Sequence, residues 1–548
     1  MTDEKRLKDL INYYDSISKT NNYEEIIKVL NEIISILKKE YGEENIEIAY
    51  YFNALGNVYS DLGDYQKAEP LHKRALEIYE KILGPEHPDV AASLNNLANL
   101  YWNIGHYQKP EPLYKRALEI REKVLGPEHP DVAASLNNLG LLYWNIGHYQ
   151  KAEPLYKRAL EIKEKALGPE HSDVADSLYN LASLYYRLGD YHKAEPLYKR
   201  ALEIYEKVLG PQHRDVAASL NNLAALYSDL GHYHKAEPLF KRALEILEKV
   251  LGPEHTDVAG SLDGLADLYR TLGDYQRAEP LYKRAFEIRE KVLGPEHPDV
   301  AASLNNLASL YWTIGDYQKA EPLYKRALEI REKVLGPEHP DVADSLYNLA
   351  SLYRTLGDYQ KAEPLRKRAL EIREKVLGPE HPNVAASLNN LANLYYYLGD
   401  YQKAEPLFKR SLEIREKVLG PEHPDVAASL YNLASLYRTL GDYQKAEPLR
   451  KRALEILEKI LVGPEHPDVA MSLNNLANLY FDLGNYQKAE PLYKRAIEIL
   501  EKALGPEHPN VAASLNNLAS LYWTIGDYQK AEPLYKRALE IREKVLGP

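Results

Sequence analysis

Between Pro88 and Ile104, apolar side chains fall at Val90, Leu94, Leu97, Ala98, Leu100, Tyr101 and Ile104, with mostly polar residues between them. Steps of three and four residues mark one face of an α-helix, so this stretch predicts a helix, called helix A. Pro88 lies in the first turn, where a helix leaves its donors unused, and Asp89 suits the positive helix end. Gly105 follows, a residue able to reach positive φ where the chain leaves the helix. A second stripe, Leu113, Ala117, Leu118, Ile120 and Val124, predicts helix B from about Tyr107 to Leu125. Gly126-Pro127 ends it with a residue that cannot continue a helix. Pro112, in the second turn of helix B, removes one backbone hydrogen bond there.

The same pattern recurs through the chain. The glycine between helices A and B stands at Gly63, Gly105, Gly147, Gly189, Gly231, Gly273, Gly315, Gly357, Gly399 and Gly441, each 42 residues from the last. Gly484 follows 43 residues later because Val462 is inserted, and Gly526 is again 42 on. Neither helix of one unit hides its apolar stripe alone, so the units must stack on one another. Residues 1–42 read as a degenerate copy, with Asn21-Asn22-Tyr23 in the place of Gly63-Asp64-Tyr65, and are expected to cap the N-terminal end. Twelve further units fill residues 43–548 as one continuous array. The last, ending at Gly547-Pro548, carries no distinct closing helix, which leaves that end open to further chain or to end-to-end self-association.

The positions Leu94, Leu97, Ala98, Tyr101, Gly105, Tyr107, Leu113, Tyr114 and Ala117 resemble the tetratricopeptide repeat. The usual repeat has 34 residues; here the longer helix B and the LGPEHPDVA connection add eight, as in the repeats of kinesin light chain and its microbial relatives. The resemblance implies an all-α, right-handed superhelical solenoid of about 13 antiparallel helix pairs, with helix A lining a concave groove. It implies a scaffold that binds peptide or helical segments of partner proteins. Kinesin light chains also carry a long heptad segment that joins the motor, and nothing before Asn53 has that pattern, so motor-adaptor function is not implied.

Composition narrows the classes. The 69 basic and 81 acidic residues are well mixed, with no basic stripe of the kind nucleic acid requires. Absence of cysteine excludes disulfides and thiolate metal sites. The charged start MTDEKRLKDL has no apolar signal region, and no apolar run has membrane-spanning length, so a soluble cytoplasmic protein without membrane insertion is expected. No nucleophile–base set, phosphate loop or paired-carboxylate motif stands out from the repeat, so neither enzyme activity nor a cofactor is expected. The loop histidines from His87 to His508 invite a metal reading. However, neighbouring units are separated by a helix-packing distance of roughly 8–10 Å, against zinc–nitrogen distances of about 2.0–2.1 Å. A structural role in the loop is the expectation. Glu119 and Lys123 on helix B are read as an i,i+4 pair on a solvated face.

Positions that differ between copies are free of the packing requirement. Three residues before the turn glycine stand Trp102, Trp144, Tyr186, Arg270, Trp312, Arg354, Tyr396, Arg438, Phe481 and Trp523, with serine in two other copies. One turn earlier the residue varies again, as in Asn99, Ser183 and Asp267. Nine before the glycine stand Asn96, Asn138, Asn180, Asn222, Asn306, Asn348, Asn390, Asn432, Asn475 and Asn517. A carboxamide offers donor and acceptor to an extended main chain, and large aromatics and arginine anchor interfaces. The resemblance implies that these asparagines hold a ligand's main chain. It also implies that Arg187, Arg270, Arg354 and Arg438 favour acidic motifs containing Trp or Tyr, opposed locally by Asp176, Asp263, Asp267 and Asp344. The competing structural reading is that the aromatics brace the adjacent helix A and the asparagines fix repeat spacing. A sensor portion of a larger signalling protein and a self-assembling spacer are the other functional classes. The stripe itself is directly testable: Leu97→Ala should destabilise the array by roughly 2–5 kcal/mol in chemical denaturation, and a change below 1 kcal/mol would place Leu97 outside the core.

Overall fold

A computed structural model describes residues 3–18, 22–104, 109–460 and 466–546. Gly105, Tyr107, Val462 and the terminal Gly547-Pro548 lie outside them. Among the described residues, 26 α-helices follow one another as 13 pairs. Helix A of the typical unit is Pro88–Asn103, one residue shorter than predicted because Ile104 is its C-cap. Helix B runs Tyr149–Leu167 in the next copy and passes through Pro154 without a break. The turn glycines take the left-handed conformation expected of them, for example Gly63 at φ 75° and Gly189 at φ 70°. At the far end of helix B, Gly126 has φ 88° and its N–H closes on the carbonyl of Glu122 at 3.1 Å.

Each loop histidine is the N-cap of the helix A that follows. His87 Nδ1 accepts the Asp89 N–H at 3.2 Å, and the pattern repeats to His508, which accepts from Asn510 N–H at 3.2 Å. A histidine ring thus replaces the usual Ser or Asp as acceptor for the unpaired donors of a helix start. This is the structural role the loop expectation called for. Lys123 departs from expectation: it reaches back to Glu86 of the preceding loop at 2.5 Å rather than to Glu119. The same bond recurs as Lys81–Glu44 and Lys417–Glu380, so the last turn of helix B is tied to the loop that enters its own unit.

Contacts divide the chain into two compact units. The first comprises Met1–Leu181 with Ile288–Ala302 and Leu328–Val342. Its core begins with Leu30, Ile33 and Leu37, all fully buried, and continues through Ile48, Ile78 and Leu94. Within this unit, His297 Nε2 donates to the Asp61 carbonyl at 3.1 Å, joining turns 236 residues apart. Because Nδ1 already accepts a backbone N–H, the neutral ring carries its proton on Nε2, which is the nitrogen facing that carbonyl.

The second unit comprises Ala182–Glu287 with Ser303–Ala327 and Ala343–Pro548. Three equivalent bonds occur inside it: His423 to the Arg187 carbonyl at 3.0 Å, His466 to Asp229 at 2.6 Å and His508 to Thr271 at 3.3 Å. Gly189 is required there for a further reason. A Cβ at this position would stand 2.7 Å from Pro424 Cδ.

One unit replaces the helix-B tyrosine by His72, which is buried and bonds Asn53 Oδ1 through Nδ1 at 2.9 Å. Burial pulls the imidazole from its ordinary 6.5 down to about 4. The folded state therefore binds this proton later than the unfolded chain. Stability is whole above pH 6.5 and is lost as pH falls towards 4. At about 1.4 kcal/mol per pKa unit, the loss should be on the order of 3 kcal/mol. His72→Tyr restores the ring that most other copies carry and should flatten that part of the pH profile in urea titrations; an unchanged slope would show that His72 is not the group responsible.

Candidate functional site

The helix-A face is built from two neighbouring polar positions with different surroundings. The asparagine ten residues before the turn glycine, rather than the ninth, makes the recurring bond between units. Asn53, Asn137, Asn221, Asn305 and Asn474 each donate through Nδ2 to the serine 40 residues ahead, at 2.6–3.3 Å. Asn305 is 7 % exposed and its partner Ser345 is fully buried, so this bond lies inside the stack. The Asn-Asn pair carried by seven copies concealed which of the two faces inward; the signal was the serine, which accompanies every copy from Ser93 onward.

The predicted asparagines, Asn96, Asn138, Asn180, Asn222, Asn306, Asn348, Asn390, Asn432, Asn475 and Asn517, are all half-buried on the adjoining strip. Asn222 turns back to the Ala218 carbonyl at 2.7 Å. Asn432 donates to Asn389 Oδ1 at 3.0 Å.

The aromatic position three before the glycine reaches both along and across the stack. Trp312 Nε1 donates to Thr355 of the next unit at 3.1 Å, Tyr396 pairs with Thr439 at 2.7 Å and Tyr186 donates to Asp229. Four of these rings also lean on the first tyrosine of their own helix B: Tyr186, Tyr396, Phe481 on Tyr486 at 5.6 Å and Trp523 on Tyr528 at 4.8 Å. Trp102 and Trp144 are half-buried, whereas Trp523 is 60 % exposed. Bracing between units thus accounts for much of what these rings do.

The variable residue one turn earlier pairs within its own unit. Ser183 bonds Tyr198 at 2.9 Å, Asp267 accepts from Tyr282 at 2.6 Å and Asn99 accepts from Tyr114. Where helix B carries Phe240, which has no hydroxyl, the partner position is Ala225.

Two of the four predicted arginines hold carboxylates of their own chain. Arg270 holds Asp267 at 3.1 Å and Arg438 holds Asp482. Arg187 is exposed, and its carbonyl accepts from His423. Arg354 differs: its guanidinium lies 5.0 Å from the centroid of the Tyr397 ring.

Two hollows open on this face, both inside the second unit. One, of about 400 Å³, brings together Trp312, Asn348, Arg354, Asn390 and Asn432 from successive helices A. The other, of about 500 Å³, contains Asn475 and Asn517 beside the half-exposed Met471 and Tyr431. Among the described residues, no group of three His, Cys, Asp or Glu is placed to hold a metal ion, and no helix is long and apolar enough to cross a membrane.

A helix pair closed by a glycine turn, repeated with its Leu-Ala-Tyr core, defines a class of interaction module. The chain belongs to the tetratricopeptide repeat family, whose model matches residues 15–81, 47–122, 111–165, 173–249, 230–291, 257–333, 299–375, 341–417, 389–459 and 463–544. Arrays of this family generally act as protein–protein interaction scaffolds. Its repeats are similar to those of a putative kinesin light chain from Podosopora anserina with nearly identical repeats, at 34 % identity over 38 % of this chain and 97 % of that one, with a TM-score of 0.33. BtubC (BKLC) from P. vanneervenii is 27 % identical over 43 % of this chain and 91 % of its own, with a TM-score of 0.35. No curated protein matches.

The two asparagine strips separate experimentally. Asn305→Ala removes a buried bond to Ser345 and should lower stability by about 1–3 kcal/mol, while Asn348→Ala should change it by no more than about 0.5 kcal/mol. Equal losses in guanidinium titrations would erase the distinction.

Proposed function

We propose that this chain is an interaction scaffold whose helix-A face receives an extended or helical segment of a partner protein. The observation that carries the reading is the convergence of Trp312, Asn348, Arg354, Asn390 and Asn432 on one hollow, although they come from four different units. Side-chain amides from successive helices present donor and acceptor at regular intervals, which suits a partner's main chain. Trp312 supplies the large, stiff surface that anchors interfaces. The internal bonds of many braced rings narrow the proposal to this stretch and to Asn475 and Asn517 rather than to the whole face.

The test is capture of partners from a native cell extract on the full chain, followed by affinity measurement with the purified partner. Replacing Asn348, Asn390 and Asn432 together by Ala should weaken binding at least tenfold while the circular dichroism melt stays within a few degrees. Unchanged affinity would overturn the helix-A assignment.

A further inference from the structure

Arg366 is the least expected residue of the second unit. It occupies the helix-B position held by Tyr324 in the unit before and Phe408 in the unit after. It is only 4 % exposed, yet it is a guanidinium in place of a ring. One Nη donates to the Asn390 carbonyl, the group lies 5.8 Å from the Tyr347 ring centroid, and Nε has no hydrogen-bond partner. A buried cation held by a carbonyl and a π-face is poorly compensated, because its lost hydration is returned only in part. Consistent with this, burial lowers its pKa to about 10, with Arg354 nearby as a further lowering influence.

Both guanidiniums line the same hollow of about 400 Å³, and no carboxylate lines it among the described residues. The chain contains its own control. The unit 84 residues on repeats the pair as Arg438 and Arg450, with Arg450 lying 5.5 Å from the Tyr431 ring. There Arg438 is neutralised by Asp482, at the place where Arg354 meets Tyr397. Only the Arg354–Arg366 copy thus keeps two positive charges facing a cavity walled by Trp312, Tyr324 and Tyr347.

We propose that this hollow binds a phosphate monoester carried on an aromatic side chain, the chemistry of a phosphotyrosine in a partner protein. The charge count selects the ligand: a phosphate monoester carries about −1.5 to −2 at neutral pH, matching two arginines, whereas one carboxylate leaves a charge over. Planar guanidiniums donate to phosphate oxygens in pairs. The cavity falls in the range of about 300–1,000 Å³ typical of sites that enclose an organic group, and its ring-lined wall suits an aryl body. The proposal rests on the helix-A binding face described above and specifies one pocket in it.

Calorimetric titration of the full chain with N-acetyl-phosphotyrosine amide tests it, with N-acetyl-tyrosine amide and inorganic phosphate as comparators. Binding at least tenfold tighter than either comparator is expected. Arg366→Tyr gives this unit the ring its neighbours carry, placed to bond Ser351 as Tyr198 bonds Ser183. It should fold as well as the parent and lose at least tenfold in affinity, while Arg450→Tyr should leave affinity unchanged. No binding, affinity equal to that of inorganic phosphate, or binding undiminished in Arg366→Tyr would each overturn the proposal. Such a failure would leave the asparagine triple variant, with its own captured partner, to decide the scaffold reading separately.

Discussion

Everything in this chain depends on apolar faces that can be covered only by the next unit. Val90, Leu94 and Ala98 are fully buried, and so are their counterparts Val384, Leu388 and Ala392 about three hundred residues later. No single helix pair encloses them. The burial is shared between neighbours, so each unit is at once the core and the lid of another. Hydrophobic burial is non-directional, and by itself it would allow a pair to slide or rotate against its neighbour.

Directional groups remove that freedom. The Asn305–Ser345 type of bond fixes one helix A against the next. On the other side of the core, the helix-A tyrosine of one unit donates to the glutamate beside the helix-B proline of the unit before, as in Tyr311 to Glu279 at 2.8 Å and Tyr353 to Glu321 at 3.0 Å. A lysine one helical turn beyond that glutamate, Lys283 or Lys325, bonds the same carboxylate at 2.7 Å. Arginine on helix B then reaches the glutamate of the previous helix B, as in Arg284–Glu248 at 2.6 Å. The buried Asn305–Ser345 type of bond counts for more than these lysine and arginine pairs, whose side chains are about a third to a half exposed and screened by solvent. Once the register is set by such a ladder, residues outside it are free to differ from copy to copy, and a binding surface can be written on an otherwise constant frame.

Much of this architecture was legible in the sequence because helical periodicity, glycine exits and a fixed repeat length report on backbone and burial, which depend on local spacing. Helix A at Pro88–Asn103 and the left-handed turn glycines follow from those signals alone. What spacing does not convey is where a polar side chain finds its partner. Asn95 and Asn96 are indistinguishable in the chain, yet the former is buried and the latter half-exposed. Lys123 has a plausible acid on its own helix but bonds one in a loop, because the loop folds back against the helix end. The histidine caps were expected to be structural, while their acceptor role required the geometry. Arg366 was hidden for a different reason: among exposed lysines and arginines of helix B it looks ordinary, and only comparison with Tyr324 and Phe408 marks it as a charge in a ring's place.

The dependence of each unit on its neighbours can be measured by the unfolding of fragments cut at successive repeat boundaries in increasing number. If cores are shared, the denaturant midpoint and the slope of the transition should both rise with every unit added to short fragments, since each addition contributes an interface as well as a hairpin. A midpoint that stays constant from the shortest fragment onward would mean that the hairpins are stable alone, and would contradict the account.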